Sequence, residues 1–139
     1  MHRLLFTAVL AAMITFSITA QDSGEDTNND GQADRWVKST GRTVNEISLD
    51  RDYDGKIDYI VKYDDEANKT EEIMDFNYDG EMDDYYFYAK GTMKRREIDS
   101  NYDGKIDIWV YLDGIYIEKY EKDIDFDGRI DIVEDYIKE

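Results

Sequence analysis

Asp50-Arg51-Asp52-Tyr53-Asp54-Gly55-Lys56-Ile57-Asp58, followed at once by Tyr59-Ile60-Val61-Lys62-Tyr63, decides how this chain folds. The first part sets carboxylates at alternate positions and a glycine where the backbone must turn sharply. From Ile57 onward, Ile57, Tyr59, Val61 and Tyr63 alternate with Asp58, Ile60 and Lys62, the period of two of a β-strand. The same acidic pattern recurs as Asp26-Thr-Asn28-Asn-Asp30-Gly31-Gln32-Ala-Asp34 and Asp75-Phe-Asn77-Tyr-Asp79-Gly80-Glu81-Met-Asp83. Two further copies are Asp99-Ser-Asn101-Tyr-Asp103-Gly104-Lys105-Ile-Asp107 and Asp123-Ile-Asp125-Phe-Asp127-Gly128-Arg129-Ile-Asp131. Their first aspartates lie 24, 25, 24 and 24 residues apart, which marks an array of one structural unit.

The segments after the loops, Arg35 to Ser39, Tyr59 to Tyr63, Asp84 to Tyr88, Ile108 to Leu112 and Ile132 to Tyr136, favour β-branched and aromatic residues. Turn residues follow at Asp64-Asp65, Lys90-Gly91 and Asp113-Gly114, and a second short strand then returns to the next loop. The fold class expected is all-β: tandem β-hairpin repeats in an antiparallel meander, alternatively a β-solenoid, with the five acidic loops along one side. Paired helices around each loop are excluded, because a 12-residue loop in this period leaves about six residues per helix, under two turns. The first copy reads as a cap, with Asn29 where the others have Tyr53, Tyr78, Tyr102 or Phe126. Central strands carry apolar groups on both sides, Trp109 and Tyr111 against Ile108 and Val110. That pattern predicts a rolled or two-layer arrangement, or an exposed aromatic face. The aromatic residues at loop position four are expected to pack between adjacent loops.

Residues 1–20 read as a secretory signal: Arg3 is the basic start, Leu4 to Ile14 the apolar stretch, and Ala20 the small residue at the cleavage point. The apolar run is shorter than the roughly 20 residues of a spanning helix, so the mature chain is expected to have no transmembrane segment. Residues 21–139 then form a single repeat domain. There is no cysteine, hence no disulfide to stiffen it. Removing the leader takes away Arg3 and His2, which leaves 16 basic and 34 acidic residues and a charge of −18. Nucleic acid is an unsuitable partner for such a surface. Its hydrophobic fraction, 41%, and its twelve tyrosines argue against disorder, so bound cations are the expected remedy for self-repulsion.

The loops have the ligands for that. Calcium takes six to eight oxygens at about 2.3–2.6 Å, which a short loop supplies best from alternate residues. Positions one, three and five are Asp or Asn in all copies. Position seven, which is Gln32, Lys56, Glu81, Lys105 or Arg129, can offer its backbone carbonyl. Position nine is Asp34, Asp58, Asp83, Asp107 or Asp131 and can bind directly or through water. Positions one, three, five and nine use seventeen of the thirty-four acids, more than a plain β-turn needs. With no cysteine and no histidine beyond His2, oxygen ligands point to calcium, magnesium or manganese and away from zinc or copper.

At these residues the chain resembles the D-x-D-x-D-G loops of the EF-hand, dockerin and thrombospondin type 3 families, and exported bacterial proteins with tandem copies of this loop. The resemblance implies calcium at positions one, three, five, seven and nine of each copy. It departs from the EF-hand at position twelve, where Val37, Val61, Tyr86 and Val110 replace a bidentate Glu and only Glu134 keeps it. Weak sites suited to extracellular calcium, about 10⁻⁴–10⁻³ M, are implied.

The function expected is a non-enzymatic, secreted or periplasmic structural or adhesive module, stabilised by calcium and engaging a protein or glycan partner. A calcium buffer or sensor is the alternative. A carboxylate-dependent hydrolase is disfavoured, because the repeat uses up the acids and no histidine base or nucleophile constellation accompanies them. N-terminal sequencing of the exported protein should find a start near Gln21, whereas an intact Met1 on a folded cytosolic product would remove the export reading.

Overall fold

The computed structural model describes residues 23–136; the leader expected over residues 1–20 lies outside them. Ten strands follow one another: β1 (Ser23–Glu25), β2 (Arg35–Thr40), β3 (Thr43–Leu49), β4 (Tyr59–Tyr63), β5 (Lys69–Met74), β6 (Asp84–Ala89), β7 (Thr92–Ile98), β8 (Ile108–Asp113), β9 (Tyr116–Lys122) and β10 (Ile132–Asp135). They form one sheet in chain order, each antiparallel to the next. The acidic segments therefore all connect strands at one end of the sheet, and the short turns all lie at the other.

Every post-loop strand begins where the alternation predicts, at Arg35, Tyr59, Asp84, Ile108 and Ile132. Strand β1 is an addition, since Ser-Gly-Glu carries no strand signal of its own and is held by pairing Gly24 with Trp36 and Glu25 with Arg35. Among the described residues no strand touches any but its sheet neighbours, so the sheet is a single open layer. That overturns both the rolled or two-layer expectation and the solenoid alternative. Two-sided apolar patterning is satisfied within each face instead. On one face Lys38 meets Glu46 at 2.7 Å and Lys62 meets Glu71 at 2.6 Å across strand pairs, and the Arg95 guanidinium lies 4.3 Å over Phe87. The other face carries the row Leu49, Tyr59, Met74, Asp84, Ile98 and Ile108, as the registers require.

One hydrophobic side chain, Val61, is fully buried among the described residues; the other buried groups are polar, and most are aspartates. The sheet is held by its backbone ladder and by side-chain pairs on each surface. A register shift before each short turn, at Lys38/Ser39, Lys62/Tyr63, Phe87/Tyr88 and Tyr111/Leu112, repeats with the sequence and sharpens the twist.

Two polar clusters sit within the more apolar face. Glu72 accepts hydrogen bonds from Tyr59, from Tyr88 at 2.9 Å and from Lys69 at 2.8 Å. Burial would raise its carboxyl, but these donors hold it below the usual value, while burial and the Glu72 bond push Tyr88 up to about 12. Asp84, 1% exposed, is gripped by Arg96 Nε at 2.9 and 3.2 Å and by the Tyr86 hydroxyl at 3.0 Å. Arg96→Met should therefore destabilise by about 2–3 kcal/mol, less than the loss for a fully buried pair because the Arg96 side chain is 36% exposed. Denaturant melts of Arg96→Met and of Asp84→Leu with Arg96→Met should show the double variant as the milder one.

Candidate metal centres

Each acidic loop is closed by its own backbone. The N–H of position nine bonds to the carbonyl just before position one: Asp34 to Glu25, Asp58 to Leu49, Asp83 to Met74, Asp107 to Ile98 and Asp131 to Lys122, at 2.8–2.9 Å. Successive loops are then tied together, since Asp50, Asp75, Asp99 and Asp123 donate their N–H to the carbonyls of Asp34, Asp58, Asp83 and Asp107 at 2.7–2.9 Å. With two strands per repeat, neighbouring loops stack at about 10 Å.

Inside a loop the carboxylates first satisfy the backbone that curls around them. In the second copy Asp50 accepts from Tyr53 N at 2.7 Å and Gly55 N at 2.8 Å; Asp54 accepts from Lys56 N at 2.8 Å. Asp58 accepts from Arg51 N at 2.5 Å and Asp52 N at 3.3 Å. Equivalent bonds recur in the other copies, for example Asp99 from Tyr102 N and Gly104 N, and Asp123 from Phe126 N and Gly128 N. This turn needs left-handed backbone at position four, where Asn29, Tyr53, Tyr78, Tyr102 and Phe126 have φ of 60–65°. Glycine at position six has φ of 82–95°. At Gly80 a β-carbon would stand 2.5 Å from Lys56 Cδ and displace that side chain, which crosses from the preceding loop to donate to the Asp79 carbonyl at 2.6 Å.

Three loops gather oxygens that could hold one ion. Asp50, Asp52, Asp54 and Asp58 each place a carboxylate oxygen within 4.8 Å of the others; so do Asp99, Asp103 and Asp107, and Asp123, Asp125 and Asp127. Asp131 is outside the last group and is exposed, whereas its counterparts Asp34, Asp58, Asp83 and Asp107 are 1–4% exposed. The first and third copies do not gather in this way, and in both the position-three asparagine amide is engaged. Asn28 Nδ2 donates to Asp30 at 2.9 Å and Asn77 Nδ2 to Asp79 at 2.8 Å, so the position-five carboxylates already have side-chain donors. In the first copy Thr27 also occupies Asp34 through its hydroxyl at 2.7 Å and its N–H at 2.9 Å. Asn101 leaves Asp103 in the gathered group. The N–H of position seven bonds to position five in every copy.

Burial and mutual repulsion compete with hydrogen-bond donors within the loops. Burial, and then the charges of Asp54, Asp58 and Asp50, raise Asp52; the neighbouring Asp127 charge raises Asp125; burial with Asp75 and Asp79 raises Asp83. Asp79 is lowered by the Glu81 N–H and the Asn77 amide, and Asp34 is lowered because the Thr27 bonds outweigh burial. Lys56 Nζ comes within 3.9 Å of Asp54 but is 53% exposed, so it offsets little of the repulsion.

Position twelve lies two residues into each post-loop strand, with Val37 and Val61 both opposite Ile47, and Tyr86 opposite Glu72. The position-four aromatics, expected to pack between loops, are about half covered: Tyr53, Tyr78, Tyr102 and Phe126 are 39–49% exposed. Tyr53 borders a shallow depression of about 360 Å³ with Thr27 and Asp34 of the preceding loop. Asp84, Thr27 and the Glu72 cluster escaped the sequence reading, because one buried acid among thirty-four has no distinguishing pattern. No protein-family model matches this chain, and no curated protein matches its sequence. No helix among the described residues is long and apolar enough to cross a membrane.

With metal chelated, Asp58→Ala should cost about 1–3 kcal/mol, since two N–H groups of the loop lose their acceptor. Asp54→Ala, whose Asp accepts at the exposed rim, should change stability by less than about 0.5 kcal/mol. Equal losses in paired urea melts would mean that position nine has no part in holding the loop.

Proposed function

We propose that this chain is an exported calcium-binding repeat protein, a structural or adhesive module without catalytic activity, whose loops hold calcium and so make a single-layer sheet rigid. The observation that carries the reading is the second loop, where four aspartates bring carboxylate oxygens within 4.8 Å of one another without a buried countercharge. Like charges converging this closely lower one another's stability unless a cation lies among them. The donors are all oxygen, which suits calcium and disfavours zinc. The loop curls around its position-one carboxylate as a chain must to present alternate side chains and the position-seven carbonyl to one ion.

The asparagine and threonine contacts grade the sites. Loops two and five need only lose mutual repulsion to take an ion, and loop four keeps one side-chain donor, the Ser100 hydroxyl on Asp107 at 3.0 Å. Loops one and three must first turn an amide away from a carboxylate, so they bind more weakly. A buffer or sensor reading has less support, since position twelve is not an acid in four of five copies and cannot supply the bidentate ligand of a tight site.

Calorimetry on chelator-stripped protein should show several equivalents of calcium, with a stronger class and a weaker class, and little heat from zinc. Asp54→Ala should remove one equivalent from the stronger class, while Asp30→Ala affects only the weaker. A site with a Kd of roughly 0.1 mM in about 1 mM calcium stabilises by around 1.4 kcal/mol. Three such sites add about 4 kcal/mol, a large fraction of the roughly 5–15 kcal/mol of an ordinary domain. Chelator should therefore lower the melting temperature markedly, and a melt indifferent to chelator would reduce the loops to solvated turns.

A further inference from the structure

The two open edges of the sheet are the separated halves of one hairpin. Strand β10 follows an acidic loop, as β2, β4, β6 and β8 do; β1 precedes one, as β3, β5, β7 and β9 do. Within the chain each post-loop strand pairs with the next pre-loop strand in a constant register: Arg35 with Leu49, Tyr59 with Met74, Asp84 with Ile98 and Ile108 with Lys122. Among the described residues only β10 lacks such a partner and only β1 lacks such a predecessor. We propose that β10 of one copy pairs antiparallel with β1 of a second copy, Ile132 opposite Glu25, so that copies join head to tail in a continuous sheet and an unbroken row of acidic loops.

Four independent features of the edges support this. The inter-loop row of backbone bonds stops at the Asp131 carbonyl at one end and the Asp26 N–H at the other, with no described strand beyond either. The position-one and position-nine aspartates are buried wherever a loop has its neighbour, and only Asp26 and Asp131, which face the open edges, are not. Arg129 stands at the loop position from which Lys56 reaches the next loop's Asp79 carbonyl, yet its guanidinium forms no ion pair with a described residue. In the head-to-tail contact it falls on Asp30 of the second copy. Finally, the edges lack several of the usual guards, with no proline in the chain, no lysine on β10 and no bulge in its register with β9, and are protected only by their short length and their acids. Ile130, Val133 and Tyr136 are 45–54% exposed along this edge. The contact is heterologous, so it adds copies without closing on a dimer.

This inference rests on the calcium reading in one respect, because both edges are acidic and the loop charges must be neutralised before they approach. Light scattering of the purified chain in calcium should show a mass that passes that of a dimer and keeps rising with concentration, and it should fall to monomer in chelator. Tyr136 N bonds back to Glu118 O, and strand alternation then turns the Val133 N–H outward. Val133→Pro should thus leave the fold and calcium stoichiometry unchanged by circular dichroism and calorimetry but hold the chain monomeric. Since the protein has no native cysteine, mixing Glu25→Cys with Ile132→Cys chains under mild oxidation reports the register. A mixed disulfide is expected; an Ile132→Cys homodimer as the main product would overturn the pairing. Calcium heats with a mass that stays monomeric would defeat the edge inference and leave the calcium sites standing. Absent heats would defeat the calcium reading, and growth persisting in chelator would show the edges joining without it.

Discussion

The position-one aspartate, folded under its own loop and tied to the N–H groups of positions four and six, is the contact on which the repeat depends. It is 2–5% exposed in loops two to five, a costly place for a charge, and two short charge-assisted bonds from backbone offset that cost. Those bonds also set the chain direction. They hold position four at positive φ and turn the backbone at the glycine, and position nine is then delivered to close the loop against the preceding strand. The strand that follows can only run antiparallel to the one before. A meander of hairpins is therefore the consequence of repeating this turn, with no need for a core to choose the topology.

The missing core matters for the same reason. A ten-stranded sheet without a second layer buries one hydrophobic side chain fully, so the hydrophobic contribution that stabilises ordinary domains is small here. Half-buried aromatic residues, cross-strand ion pairs and the buried Asp84–Arg96 contact share the task across two wet surfaces. Such contributions are individually modest and local. Neutralising the loop carboxylates is thus a large lever on this protein, where it would be a minor one on a well-packed domain.

Much of this was legible in the residues. The five copies and their spacing define the repeat, and the alternation from Ile57 to Tyr63 and from Ile106 to Leu112 places the strands to within a residue. Layering was not legible, because two-sided apolar strands are equally suited to a sandwich and to a sheet whose faces pair internally; the register that sets Lys62 against Glu71 decides it. Nor does the motif distinguish the loops. Asn28, Asn77 and Asn101 occupy one position in the pattern, yet the first two bond to the position-five aspartate and Asn101 leaves Asp103 among the gathered oxygens. Whether an amide donates to its neighbour depends on rotamers that sequence does not specify.

Because each repeat touches only its neighbours, stability here is close to a sum of repeat terms and nearest-neighbour terms. The neighbour terms at the loop end are specific: one backbone bond from position one to the preceding position nine, and, between loops two and three, the Lys56 amine on the Asp79 carbonyl. An ion that orders one loop fixes both partners of these bonds and so eases ordering of the next, with influence fading over a repeat or two. Loop three, whose Asp79 is already engaged by Asn77, has ordered neighbours on both sides and gains most from this coupling. Loop one has a neighbour on one side only, and its Asp34 is occupied by Thr27. On the proposed reading the weak class of sites is itself graded, and the grading follows from position in a one-dimensional array as much as from the ligands each loop supplies.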